Sequence, residues 1–373
     1  MNYEQAYRRL VSGEITGLTA AVLRMVLSVA AAVYSLIIRA RNFMYSKAML
    51  KSYKVKAAVI SVGNITAGGT GKTPLVIWLC NQITENPRFS VPSSGCAILT
   101  RGYKTTKNLK LKTQNYFDEP VILAQSCPEV KVVVNPDRFA AAVEVVENSG
   151  AKVLIMDDGF QHRRLKRDLD IVTIDAMCPF GYGKILPAGL LREPIAELKR
   201  ADVVVITRCD QVCEAELSQI EKKLRLTNPG IIIAKSMHKP ICAKSIDNRQ
   251  IGLEELRNKK IFAFCGIGNP DAFLGTIKGL GADTAGSKVY NDHHYYTEND
   301  IAEIHEKAKE FKADFILTTQ KDWTKIITEF RSLIADYHDA LFAYLAIELK
   351  FLAGQDKITR LLEETLSGKI SKN

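Results

Sequence analysis

Ala57-Ala-Val-Ile-Ser-Val-Gly63-Asn-Ile-Thr-Ala-Gly68-Gly-Thr-Gly71-Lys72-Thr73-Pro74 reads as a strand, a glycine-rich turn and the opening of a helix. Glycines let backbone N–H groups close around phosphate oxygens. The helix N-terminus that follows adds partial positive charge. Lys72 is placed to reach β and γ phosphates, and Thr73 to hold magnesium through its hydroxyl. Pro74 suits a first helical turn, where its missing N–H costs nothing. Gly68, Gly69, Thr70, Gly71, Lys72 and Thr73 are therefore the candidate ATP-binding residues. One position departs from the strict G-x-x-x-x-G-K-[ST] pattern: Thr66 stands where glycine is expected.

Outward from this loop, short apolar runs alternate with helical patterns. Strands are expected at Ala57–Val62, Cys96–Thr100, Lys131–Val134, Val153–Met156, Ile171–Ile174, Val203–Thr207 and Ile231–Ala234. Their continuous β-branched character suits parallel strands buried on both faces. Helices fit between them, giving a P-loop NTPase-type three-layer α/β domain over 57–240. Polar residues and Pro240 interrupt the pattern, and a smaller C-terminal α/β domain is expected over 241–373. A cleft between the two is the natural place for a site. A phosphate loop also calls for a partner strand ending in an acid, to hold magnesium's water shell. Val153-Leu-Ile-Met-Asp157-Asp158-Gly159 supplies it.

Residues 1–56 form a third region. From Ile15 to Ile38 the only charge is Arg24, over a length that could cross a bilayer. Basic residues follow, among them Arg39, Arg41, Lys47 and Lys51. A buried core helix, a full span and an interfacial helix with a basic flank on anionic lipid are the readings open to it. The interfacial reading is preferred, because Arg24 can snorkel from such a helix. A cleaved signal peptide fits poorly, since the segment begins late and precedes a loop that needs cytoplasmic ATP. The formal charge of +10 favours an anionic partner. No aromatic–basic module points to nucleic acid, and nothing calls for an obligate protein partner. The eight cysteines are scattered, with Cys209 and Cys213 a lone close pair, so the spacing of a zinc site is missing.

The stretch Ser61–Pro74 resembles the tetraacyldisaccharide 4′-kinase (lipid A 4′-kinase) family, in which the loop characteristically breaks the strict pattern where Thr66 stands. Further blocks similar to that family follow in order: Thr100-Arg-Gly-Tyr103, Asp118-Glu-Pro120, Asn135-Pro-Asp-Arg138 and Asp157-Asp-Gly-Phe-Gln-His162. Then come Leu186-Pro-Ala-Gly-Leu-Leu-Arg-Glu-Pro194, Gly266-Ile-Gly-Asn-Pro270, Asp292-His293 and Thr319-Gln-Lys-Asp322. The resemblance implies ATP-dependent phosphorylation of the 4′-hydroxyl of a lipid-anchored glucosamine disaccharide 1-phosphate, at the cytoplasmic face of the bacterial inner membrane. It implies an aspartate–histidine pair, carried here onto Asp118 and His293, with His294 the competitor for the histidine's role. That pair is expected to assemble only if the two domains approach. Asp158 joins Lys72, Asp118 and His293 as a catalytic candidate. Magnesium candidates are Thr73, Asp157 or Asp158, and Glu193. Substrate or phosphate candidates are Arg101, Tyr103, Arg138, His162 and Arg192.

Two rival readings share the loop. Thr207-Arg-Cys-Asp210 superficially resembles a guanine-reading element of a GTPase, but arginine replaces lysine and no Asp-x-x-Gly switch accompanies it. A membrane-associated ATPase switch would need neither Asp118 nor His293.

Overall fold

The computed structural model describes residues 3–89, 91–102, 118–337 and 339–370. In chain order the elements begin with α1 (Tyr3–Ser12), α2 (Leu18–Ser46), β1 (Ala58–Asn64), α3 (Lys72–Glu85) and β2 (Cys96–Thr100). Next come α4 (Asp118–Ser126), β3 (Lys131–Val134), α5 (Arg138–Ser149), β4 (Val153–Asp157), β5 (Leu169–Asp175), β6 (Val203–Thr207) and α6 (Glu214–Thr227). The chain continues through β7 (Ile232–Ser245), β8 (Gln250–Ile251), α7 (Leu253–Leu256), β9 (Lys260–Cys265), α8 (Pro270–Gly279) and β10 (Asp283–Val289). It ends with α9 (Glu298–Glu310), β11 (Phe315–Thr319), α10 (Gln320–Ala335), β12 (Leu341–Ala353) and α11 (Gln355–Ile370).

Two compact units emerge. The larger comprises Tyr7–Asn115, Leu123–Met237 and Leu349–Asn373; the smaller comprises Met1–Ala6, Tyr116–Ile122 and His238–Glu348. The change at Met237–His238 falls close to the expected boundary at 240. The return of the C-terminal segment to the larger unit was not expected. Its cause is apolar: Ile358, Leu362 and Leu366 of α11 are buried in one cluster with Ile60, Leu79 and Ile83.

In the larger unit the parallel strand order is β7-β6-β5-β1-β4-β2-β3. Every residue of β1 is buried, and alternate side chains serve opposite faces, as the two-residue strand period requires. Ala58, Ile60 and Val62 pack with α3 and α11. Ala57 and Val59 pack with Ala141, Ala142 and Val145 of α5. A third cluster joins Val172, Ile174, Val204 and Ile206 to Leu217, Ile220 and Leu224 of α6. Helices thus cover both faces of a parallel sheet, as expected. β1 lies between β4 and β5, so its C-terminal end opens at a reversal of strand order, where such sheets place ligands.

The smaller unit carries parallel strands in the order β10-β9-β11-β12, with β8 antiparallel to the end of β7. Phe262 and Phe264 face α9 and α10. Ile261, Ala263 and Cys265 face Phe273 and Ile277 of α8.

α2 is long and apolar enough to cross a membrane by length and composition. It is not a core helix, since only 11% of its most apolar window is buried. Ala20, Ala31, Ile38 and Asn42 form its buried stripe. Val22, Met25, Val26, Val29, Val33, Leu36 and Ile37 are exposed. The stripe is anchored by polar bonds: the Tyr34 hydroxyl donates to the carbonyl of Arg192, and Arg163 donates to that of Asn42.

Candidate active site

The phosphate loop leaves β1 and is braced from three strands. The Asn64 amide donates to the Thr70 hydroxyl at 2.9 Å, which also bonds the hydroxyl of Thr173 on β5 at 2.7 Å. Thr207, at the end of β6, donates to the carbonyl of Thr70 at 3.0 Å. Gly68 and Gly71 have φ of 108° and 82°, a left-handed backbone that a side chain would strain. Thr66 needs no such freedom. It is buried and forms a bridge with Leu191, flanked by backbone bonds from Ala67 to Leu190 and from Arg192 to Ile65. The segment around Leu190–Arg192 therefore pairs alongside the loop like a short strand, and threonine is at home there.

Asp157 ends β4 opposite Val62 of β1 and is buried, with the Thr100 hydroxyl donating to it. The next residue, Asp158, has φ of 50° and forms the centre of a cation array. Lys72 lies 3.3 Å from it, and Arg192 donates to both its oxygens at 3.1 and 3.0 Å. Burial alone would raise this carboxyl's pKa, but Lys72 and then Arg192 hold it well below the usual carboxylate range. The array keeps two cations in place beside the loop, ready for phosphate. The turn fits closely against β1: a Cβ on Gly63 would lie 2.5 Å from that of Phe160.

Other expected site residues take different places. Arg138 is buried at the start of α5, where it donates to the carbonyl of Asp157; Asp137 caps that helix by accepting from Phe139 and Ala140. His162 is half-buried, and burial together with Arg138 pulls its imidazole down to about 4, so it is neutral near pH 7. Arg101 is exposed just beyond β2. Tyr103 lies outside the described residues.

Glu193 departs most from expectation. It is fully buried, with one oxygen held by Arg41 of α2 and the other by Arg200. A buried carboxylate needs such compensation. Both its oxygens are taken by guanidiniums, so Glu193 anchors α2 here and does not present itself to a metal. Thr73, at the start of α3, and Asp157 remain a fitting pair, because magnesium beside phosphates needs only one or two protein ligands. Among the described residues no group of three or more His, Cys, Asp or Glu side chains forms a metal cluster.

In the smaller unit, His293 has φ of 59°, and its backbone N–H donates to Gly266. Its Nε2 lies 3.3 Å from Nζ of Lys321, which is also 3.3 Å from Asp292 and 3.9 Å from Glu119. His294 is committed elsewhere: its ring bonds Asp300 at 3.2 Å and stacks on Tyr290. Asp118 opens α4, but its side chain lies outside the described part. The segment that carries it, Tyr116–Ile122, groups with the unit of His293.

Sequence reading missed Lys321 as the residue between His293 and Glu119, although its Thr-Gln-Lys-Asp block stood out. It also missed Thr173 and Thr207 as braces. Thr207 and Arg208 had been weighed as guanine-reading; instead Thr207 holds the loop and Arg208 forms a buried ion pair with Asp175.

Comparison with known proteins identifies the family. The profile of the family described as tetraacyldisaccharide-1-P 4′-kinase (LpxK) matches residues 23–367. A tetraacyldisaccharide 4′-kinase of Halothermothrix orenii is 34% identical over 343 residues, covering 88% of this chain and 89% of the relative. One of Syntrophus aciditrophicus is 38% identical over 308 residues, with coverage of 77% and 80%. The crystal structure of LpxK from Aquifex aeolicus in complex with ATP superposes with a TM-score of 0.66 at 28% identity, covering 92% of this chain and 99% of that one. The chain belongs to the tetraacyldisaccharide-1-phosphate 4′-kinase family.

Proposed function

We infer that this chain transfers the γ-phosphoryl group of ATP to the 4′-hydroxyl of a tetraacylated glucosamine disaccharide 1-phosphate, a step of lipid A biosynthesis. The observation that carries this is the braced loop with Lys72 and Arg192 gathered on Asp158, in a chain related to these kinases along nearly its whole length. Backbone N–H groups of Gly68–Thr73 and the Lys72 ammonium hold the triphosphate. Magnesium, bound by Thr73 and Asp157, would neutralise charge on the terminal phosphates. Incoming phosphate competes with Asp158 for Lys72, so Asp158 stores the cation until ATP binds. Arg192, and Arg101 and Tyr103 beyond β2, are assigned to substrate phosphate. Arg138 and His162 support the end of β4 from behind.

In the chemical step the 4′-oxygen forms a bond to the γ-phosphorus while the β,γ-bridging P–O bond breaks and ADP leaves. The hydroxyl proton passes to Asp118. His293 orients that carboxylate, and Lys321 in turn fixes His293. The acceptor is an amphiphile, and α2 gives the enzyme its seat on the bilayer. The buried stripe and the Tyr34, Arg41 and Asn42 bonds favour a helix lying in the interface over one that spans. ATP places this surface at the cytoplasmic face of the inner membrane.

One assay tests the reading. Purified protein receives labelled ATP and tetraacyl disaccharide 1-phosphate in detergent, and label is expected on the lipid. ATP hydrolysis without labelled lipid would make the chain an ATPase switch, and preference for GTP would make it a GTPase.

A further inference from the structure

At the foot of α2, away from the phosphate loop, lies a cavity of about 540 Å³. Five cations line it, Lys51, Arg163, Lys166, Arg167 and Arg200, against one carboxylate, Asp170. Arg167 and Asp170 neutralise each other through a forked pair of bonds. Arg200 is satisfied by Glu193 and Glu197. Lys51, Arg163 and Lys166 make no ion-pair contact with a carboxylate among the described residues, although Glu197 and Glu193 act on Arg163 from further away. Arg163 makes one hydrogen bond, to the carbonyl of Asn42, and lies over the Tyr45 ring at 5.2 Å. Burial, then Arg200 and Arg167, lower the pKa of its guanidinium, which remains charged near neutrality. A hollow with this much uncompensated charge is built for an anion with several acceptor oxygens.

The position selects the source of that anion. The cavity begins at Tyr45, in the last turn of α2, whose outer face is exposed and apolar. Phe43 and Met49 beside it are exposed as well. When that face enters a bilayer, the helix end and the basic segment after it sit at headgroup depth.

We propose that this cavity is a binding site for the headgroup phosphate of an anionic phospholipid, distinct from the site of the acylated sugar. The proposal rests on α2 lying on the membrane. The lipid contributes no chemistry to phosphoryl transfer. It fixes where the enzyme sits, with one phosphate diester held by Lys51, Arg163 and Lys166.

The test uses the full chain and two kinds of vesicle, pure phosphatidylcholine and phosphatidylcholine with phosphatidylglycerol. The wild type is expected to bind both, the anionic vesicles more tightly. Lys51→Gln with Lys166→Gln should remove about 30-fold of that gain, from about 1 kcal/mol per basic residue, and leave phosphatidylcholine binding unchanged. Lys47→Gln with Lys54→Gln removes the same charge from the same flank without touching the cavity. It should cost clearly less, and equal losses from the two pairs would reduce the effect to diffuse attraction and overturn the site. Dihexanoyl phosphatidylglycerol, titrated below its micelle concentration by calorimetry, should bind saturably at one site in the wild type and not in the Lys51/Lys166 variant. Competition by inorganic phosphate as strong as that of the lipid would make this a free-anion site instead. Failure of the wild type to bind either vesicle would refute the seat of α2, and the dihexanoyl titration would still judge the cavity.

Discussion

Around the phosphate loop, polar side chains are tied down by short bonds: Thr70 to Asn64 and Thr173, Thr207 to the Thr70 carbonyl, Asp158 to both Lys72 and Arg192. Around His293 the setting is more open, against side-chain exposures of 10% for Lys72 and 19% for Asp158. Its ring reaches Lys321 at 3.3 Å, Glu119 stands 3.9 Å from that lysine, and the His293 side chain is 36% exposed. The two regions face different demands. A triphosphate is flexible and highly charged, so cations fixed beforehand lower the reorganisation needed in the transition state. A proton acceptor must instead meet a hydroxyl on a large amphiphile, and its bonds tighten only once that acceptor is bound.

Removing the proposed proton acceptor should break the comparison most severely. Asp118→Asn is expected to lower kcat about a thousandfold, within the range of general-base catalysis, with ATP binding intact by calorimetry. Full turnover in that variant would remove Asp118 from the mechanism. Lys72→Met comes next, with a loss of about a few hundredfold in kcat/KM. Here ATP binding should fall too, which separates the phosphate region from the proton region. If ATP bound as tightly as in the wild type, the cation array on Asp158 would have no part in holding it.

Lys321→Met sharpens the contrast on the more open side. A residue acting through His293 should cost about tenfold in kcat with little change in KM for ATP. A similar effect is expected of Arg41→Met on the tighter side, but through a different route. Losing Arg41 leaves Glu193 with Arg200 alone and frees the last turns of α2. Stability should fall by up to about 3 kcal/mol, and turnover with it, because the neighbouring Arg192 holds Asp158. Thermal unfolding and kcat measured on one preparation would show whether the two losses go together. Loss of stability with unchanged turnover would confine Arg41 to anchoring the helix.

The phosphate region was legible in sequence because its function demands local order: strand, glycine turn, Gly-Lys-Thr and helix are contiguous. Its braces were not legible. Thr173 and Thr207 lie on other strands and carry no mark in the chain except their place at strand ends. Glu193 looked like a ligand because it is an acid inside the family-like Leu186–Pro194 block. Only packing showed that Arg41, more than 150 positions earlier, takes its charge. The grouping of Asp118's segment with His293, and of α11 with the larger unit, are likewise long-range facts. Periodicity along the chain reports which face of an element is apolar, not which partner covers it.

The smallest expected effect concerns His162, beside the tightly held region. Its imidazole is pulled from 6.5 to about 4, first by burial and then by Arg138. The folded protein therefore keeps His162 neutral where the unfolded chain protonates it. The stability this contributes is fully present above pH 6.5 and is lost as pH falls towards 4. Asp158 acts in the same direction but lower, because its carboxyl is depressed below 3.8, so its contribution fades only beneath that value. The two can be told apart by denaturant unfolding at a series of pH values. His162→Gln should flatten the decline between 6.5 and 4 and leave the steeper loss in more acid solution. If the variant and the wild type declined in parallel through that window, His162 would be protonated in the folded protein, and Arg138 would not be close enough to exclude a second charge behind Asp157.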